Sequence, residues 1–246
     1  MKPNRPQMPA MVGDEDLLEI LKLEKELVGM YLSSHPLDRY AFEIENFTTC
    51  KLSGLQDLID ECEAKQSGRK IAVAGIITDV KTLTTKSGSQ GAKIMMEDYS
   101  GSFEKALFGK EYQEYRDKLN LHDQVFLCGD VAPRFVGRKD DGNVPKQIPY
   151  EFKIKQVSLL GNVAEAYMTG ITLNIDSEML NEDFRKKFNK LVKGNKGKTP
   201  LNITIFDKST GYKIEFYSKK YQVGVSSDFV NGIEQLGIPY TVTKKL

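Results

Sequence analysis

The chain has 246 residues, a net charge of +1, 28% charged and 40% hydrophobic side chains, enough for one large domain or two small ones of ordinary globular composition. No apolar run approaches the ~20 residues that span a bilayer, and the stretch from Met1 to Pro6 has no apolar signal core, so a cytoplasmic chain without membrane contact is expected. Cys50, Cys62 and Cys128 are far apart and show no Cys-x-x-Cys spacing, which excludes a disulfide framework and leaves reduced, buried thiols as the expectation.

Charge is uneven: residues 1–68 carry −6, residues 69–160 carry +3 and residues 161–246 carry +4. Residues 1–13, with three prolines, read as a linker or tail. A helix begins near Asp14, where Asp14, Glu15 and Asp16 sit at the positive end of the helix dipole and Leu17, Leu21, Leu27, Val28 and Tyr31 recur at helical spacing. Pro36 reads as the first position of a second helix capped by Ser34 or His35. Leu55, Leu58, Ile59 and Cys62 mark a third helix, ending by Gly68.

From Arg69 the pattern becomes alternating and β-branched. Strands are expected over 71–80, 92–96, 102–108, 124–131 and 148–159, with a short helix over 111–119 between the third and fourth. Three strands, a helix and two strands is the order of an OB-fold. After Gly161 a strand over 171–175, a helix over 178–192, a basic loop over 194–198, a hairpin over 201–206 and 212–217, a strand over 221–225, a helix from Asp228 and a last strand near Tyr240 form a smaller α+β unit. The expected fold class is therefore α+β and β: a linker (1–13), an N-terminal helical segment (14–68), a five-stranded OB-fold barrel (69–160) and a small C-terminal α+β domain (161–246).

Two stretches carry a family resemblance. Glu24, Lys25, Glu26, Gly29, Tyr31, Ser33, His35, Pro36, Leu37 and Asp38 reproduce a segment that resembles the one between the fingers region and the OB domain of bacterial DNA polymerase III alpha subunits. Thr85, Lys86, Gly88, Met96, Glu97, Asp98, Ser100, Gly101, Glu104, Phe108, Tyr112 and Tyr115 resemble the OB-fold that follows there. The resemblance covers residues 14–246, the tail with less motif content. It implies a non-catalytic C-terminal part of a DNA polymerase. The Mg²⁺-holding carboxylates of the palm lie upstream in the family, so no cofactor is expected in this chain and Mg²⁺ only for the intact enzyme. The implied partners are single-stranded DNA for the OB-fold and the clamp-loader tau subunit, or another replisome protein, for the C-terminal domain. A purely protein-docking scaffold and an OB-fold tRNA-binding module are the competing readings; the segment from Glu24 to Asp38 argues against the latter.

An OB-fold holds single strands with a basic groove and aromatic platforms on its strand 2–3 face and its 1–2 and 4–5 loops. The candidate nucleic-acid residues are accordingly Lys86 in loop 1–2, Lys93 on strand 2, Lys105 on strand 3, and Arg134, Phe135, Arg138, Lys139 and Lys146 in loop 4–5. Phe103 is a further aromatic, either exposed or in the barrel core. The family usually has an aromatic where this chain has Lys93, which shifts the expected mode towards phosphate contact. His35 reads as a helix-start cap, His122 as a surface residue, Asp140 to Gly142 as turn chemistry, and Arg185 to Lys187 as a solvated helix face. Two histidines and three scattered cysteines give no zinc spacing.

Overall fold

The computed structural model describes residues 14–85, 88–134 and 148–245, and they divide into two units, 1–38 and 39–246. The first holds helix α1 (Asp14–Val28), after which Gly29 turns at φ 83° and donates its N–H to Lys25 O at 3.0 Å. Glu24 then fastens the following turn. Its carboxylate accepts from Leu32 N at 2.8 Å, from Ser33 N at 3.0 Å and from the Ser33 hydroxyl. Those bonds, the Ser33 hydroxyl first, hold its pKa below the ordinary carboxylate range. His35 N donates to Asp38 Oδ2 at 2.7 Å, and His35 Nδ1 accepts from Leu37 N at 3.2 Å. The acidic and His-Pro-Leu-Asp positions of this segment thus form a backbone staple. Pro36 does not open an α-helix: it lies in a turn, followed by a 3-10 turn at Asp38–Tyr40 and only then by α2 (Ala41–Phe47).

In the second unit, α3 (Leu55–Lys65) ends where Gln66 takes the left-handed conformation at φ 47°. Strands β1 (Arg69–Thr84), β2 (Gln90–Glu97), β3 (Ser102–Phe108), β4 (Gln124–Pro133) and β5 (Tyr150–Leu159), with α4 (Gly109–Tyr115) between the third and fourth, make one sheet in the order β3-β2-β1-β4-β5. All its pairings are antiparallel. The expected barrel is not closed by a backbone ladder: β3 and β5 are the two ends of the strand order. The concave side is filled by Ile71, Val73, Ile77, Ile94, Met96, Leu107, Val125, Leu127 and Phe152, with Ile59 and Cys62 of α3 and Tyr115 of α4. Asp98, from the tight turn after β2, ties this sheet to the approach of α3. One carboxylate oxygen accepts from Ser100 N, Ser100 Oγ and Gly101 N, while the other accepts from Leu52 N at 2.9 Å.

The second sheet follows the short helix α5 (Val163–Tyr167). Strands β6 (Met168–Asp176), β7 (Lys196–Phe206), β8 (Lys213–Val223) and β9 (Tyr240–Lys244) run in the order β8-β7-β6-β9, with β6 and β7 parallel across α6 (Glu182–Gly194), and with α7 (Ser227–Gln235) before β9. Asn181 and Ser226 cap α6 and α7 by accepting from Phe184 N and Phe229 N. Here the sequence expectations shift. The loop over 194–198 is largely the start of β7, and the two short strands near 212–217 and 221–225 are one long β8. Ile171, Leu173, Ile175, Leu201, Phe229 and Ile233 fill the core under the two helices.

A joint links the two sheets. On the convex side of β4, Phe126 is fully buried, 5.4 Å from the ring of Tyr167; Phe42 of α2 lies 6.0 Å from Tyr240. Lys245 N donates to Tyr167 O at 2.9 Å, and the Lys244 ammonium donates to Asn46 O. The thiols are free, but only Cys62 is buried. Cys50 and Cys128 are half-buried, enough for burial to push their pKa values up.

Burial, and second a hydrogen bond with Glu114, push the Tyr115 phenol up to about 12. Its unfolded counterpart titrates near ~10, so above that pH the unfolded chain loses the proton first and folding weakens as pH rises towards 12. Urea midpoints measured from pH 9 to 11.5 should fall, and Tyr115→Phe should flatten part of the fall.

Candidate nucleic-acid interface

The irregularity in β1 between Ile77 and Asp79 turns the strand over. Before it, the convex side chains Ala72, Ala74 and Ile76 are buried. After it, the convex side is uncovered. Directly opposed residues of an antiparallel pair lie on one face, so the register gives three cross-strand rows there: Leu83, Gly91 and Phe108; Lys81, Lys93 and Ala106; and Asp79, Met95 and Glu104.

Lys93 sits on this open face as its alternation with Ile94 and Met96 requires. It is paired: its ammonium lies 2.7 Å from Glu104, and that of Lys81 lies 2.5 Å from Asp79. The sheet face itself is therefore electrically balanced. Lys105 is different. It is 7% exposed, turned away from the open face, with its ammonium 3.5 Å from Glu111 of α4 and 3.7 Å from Glu151 of β5. Glu111 also accepts from Ile154 N at 2.9 Å. Lys105 thus spans the seam between β3 and β5 and does not offer its charge to a phosphate. Phe103 is partly buried against the inner core.

Arg134 is exposed at the root of loop 4–5, where its N–H donates to Pro149 O at 2.7 Å. Helix α3 holds the same root: Tyr150 N donates to Glu63 Oε2 at 3.1 Å, and Gln66 Nε2 to Ile148 O at 3.2 Å. Lys86, Phe135, Arg138, Lys139 and Lys146, like the turn at Asp140 to Gly142, lie outside the described residues. Of the eight candidates, Arg134 is exposed, Lys93 is half-exposed on the open face, and Lys105 is buried.

The residues not anticipated are Phe108 and Leu83, 42% and 36% exposed, on either side of Gly91. A further apolar surface lies along β8 and its approach, where Tyr212, Ile214, Phe216, Tyr217 and Tyr221 are each at least half exposed. Between α6 and α7 is an open groove of about 710 Å³ whose lining includes Lys187, Lys190, Leu191 and Leu236. Among the described residues no group of three or more His, Cys, Asp or Glu is placed to hold a metal ion, and no helix is long and apolar enough to cross a membrane.

Comparison with known proteins bears on this architecture. Residues 171–243, from β6 to β9, match the family model of the DNA polymerase III alpha subunit, C-terminal domain. DNA polymerase III subunit alpha of Vibrio cholerae is 24% identical over 184 residues, 74% of this chain and 14% of that protein. The subunit of Pseudomonas aeruginosa is 22% identical over 227 residues, 92% of this chain and 18% of its own. That of Borreliella burgdorferi is 35% identical over 115 residues, 46% of this chain and 9% of its own. A putative aspartyl-tRNA synthetase from Leishmania major Friedlin aligns over 59% of this chain and 26% of its own at 14% identity and a TM-score of 0.28, a likeness too slight to carry weight. The chain is similar to the C-terminal region of DNA polymerase III alpha subunits and spans less than a fifth of the length of these relatives.

The buried ammonium at the seam gives a direct test. Lys105→Ala leaves Glu111 and Glu151 without their shared cation, and removing one partner of a buried ion pair is costly. Because both carboxylates reach some solvent, the expected loss is ~1–3 kcal/mol. Urea unfolding of the variant should show it as a lowered midpoint with an unchanged slope.

Proposed function

We propose that this region is an accessory module of a replicative polymerase, its five-stranded sheet acting as an OB-fold that holds single-stranded template. The observation that carries this reading is the uncovered convex face of β1, β2 and β3, bounded in sequence by loop 1–2 and loop 4–5, the places where an OB-fold meets a strand. The root of loop 4–5 is tied to α3 by hydrogen bonds and to β3 through Lys105. That anchoring fixes where the loop's cations start, whatever path the loop takes. Lys86, Arg134, Arg138, Lys139 and Lys146 supply positive charge beyond the balanced face, so the electrostatic part of binding comes from the loops.

A second role, protein docking by the C-terminal unit, is favoured by the apolar surface of β8. A strand at the edge of a sheet, with Ile214 and Phe216 half exposed, is a surface that partners use by strand addition or side-chain burial. The family resemblance makes the clamp-loader tau subunit the partner to try first. Both roles fit one chain, because the candidate surfaces are on different sheets.

Each neutralised phosphate adds ~0.7 to the negative slope of log K against log salt on a single strand. Replacing Arg134, Arg138 and Lys139 together by Ala should lower that slope by up to ~2 in anisotropy titrations of oligo-dT. Lys93→Ala should lower it by less than one phosphate, because Glu104 already neutralises that ammonium. An unchanged slope in the triple variant would move the electrostatic surface elsewhere. For the second role, Ile214→Ser with Phe216→Ser should weaken tau capture at unchanged oligo-dT affinity; unimpaired capture would clear β8 of the role.

A further inference from the structure

We infer that the ring of Phe108 is a base-stacking platform for single-stranded nucleic acid, resting on Gly91 and flanked by Leu83. The inference rests on the proposed binding of a single strand by this sheet and names the group that does the contacting.

Phe108 ends β3, opposite Gly91 of β2, which is in turn opposite Leu83 of β1. A Cβ added to Gly91 would come 2.6 Å from Phe108 Cδ1 and 2.9 Å from Cε1, and 2.6 Å from Leu107 O. The Cδ1–Cε1 edge of the ring therefore occupies the space over Gly91 that a side chain on β2 would fill. Gly91 is buried beneath it, yet the ring is 42% exposed. That edge is thus supported by the sheet while much of the ring remains open to water. The neighbouring glycine fixes the direction of the chain: Phe108 is extended at φ −138°, and Gly109 turns at φ 55° into α4. A left-handed residue directly after the aromatic lets the helix start without drawing the ring into the core.

The surroundings favour stacking over a salt-like contact. Lys81 and Lys93 lie two residues along their strands, ~7 Å away by strand rise, and both are already paired with carboxylates. A strand crossing here meets little net charge from the sheet. A π-face open on one side is a contact that any base can make, and such stacking is sequence-tolerant. The ammonium row one step away stands where a backbone phosphate can exchange with Asp79 or Glu104.

The chain has no tryptophan, so Phe108→Trp introduces a single reporter. Full-length Phe108→Trp titrated with oligo-dT should retain wild-type affinity and show quenched emission as bases stack on the indole. Phe108→Ala should lose about ten-fold or more in affinity, within the range for one stacked base, with the salt slope unchanged. Phe108→Leu should lose nearly as much, because it keeps apolar bulk but not the π-face. Circular dichroism and the urea midpoint of each variant establish that it is folded. Wild-type protein that fails to bind oligo-dT would overturn the proposed function and this inference with it. Wild-type binding with neither quenching in Phe108→Trp nor loss in Phe108→Ala would overturn the platform alone. Full affinity in Phe108→Leu would also overturn it, as would a Phe108→Ala defect confined to protein capture.

Discussion

The buried ammonium of Lys105 is the interaction on which the arrangement of the first sheet depends. A sheet ordered β3-β2-β1-β4-β5 has β3 and β5 as its two ends, with no backbone ladder between them. At that seam Lys105 from β3 faces Glu151 from β5, and Glu111 from α4 contributes one oxygen to Lys105 and the other to Ile154 N. A partly buried ion cluster is a poor source of net stability, but it is specific in geometry. It fixes which side chains of β3 face inward, sets α4 over the seam, and holds the first residues of β5 beside β3. Because loop 4–5 enters β5 there, the same contact positions its root. A hydrophobic replacement could fill the space without recreating the bond to Ile154 N that orients Glu111.

The convex side of the same sheet serves two purposes, and the irregularity at Thr78 divides them. N-terminal to it, Ala72, Ala74 and Ile76, with Phe126 of β4, are buried on the side of the joint formed with α2, α5 and the second sheet. C-terminal to it, the face stays open and carries Leu83, Lys81, Lys93 and Phe108. A bulge adds one residue and reverses the facing of every side chain after it. Without it, Val80 and Leu83 would exchange faces and the open surface would lose its register with Gly91.

Much of this was legible in the sequence, and the failures have identifiable causes. The strands β3 and β4 follow from alternation and β-branched content, and Lys93 was placed on the outer face by counting from Ile94 and Met96. The same count made on β3 from Leu107 would have turned Lys105 inward and Phe108 outward; instead, charge alone suggested an exposed lysine. A lysine in an inward position is legible only when its carboxylate partners are known, and Glu111 and Glu151 are 6 and 46 residues away along the chain. Pro36 looked like a helix start, but Asp38 caps the His35 N–H and delays the helix to Ala41. The basic stretch at 194–198 looked like a loop because glycine and lysine are poor strand formers, yet pairing with Val223 draws Lys196 and Thr199 into β7. In the motif from Glu97 to Gly101, the sequence did not reveal that Asp98 reaches back 46 residues to Leu52 N.

The balance of charge on the open face has a consequence for how such a module would work. A surface that holds a strand mainly through phosphates binds strongly at low salt and releases as counterions compete. A surface on which Lys81 and Lys93 are already neutralised by Asp79 and Glu104 would itself add little salt dependence, leaving apolar and stacking contact as what the sheet face could offer a strand. One stacked base holds a strand loosely and without preference among bases, so the strand can advance by exchanging one base for the next on the same ring. Loop cations add attraction at a distance without fixing register. If the proposed strand binding holds, a single supported ring on a neutral sheet would release a strand by breaking one weak contact per step, where a continuous basic groove would break several ion pairs.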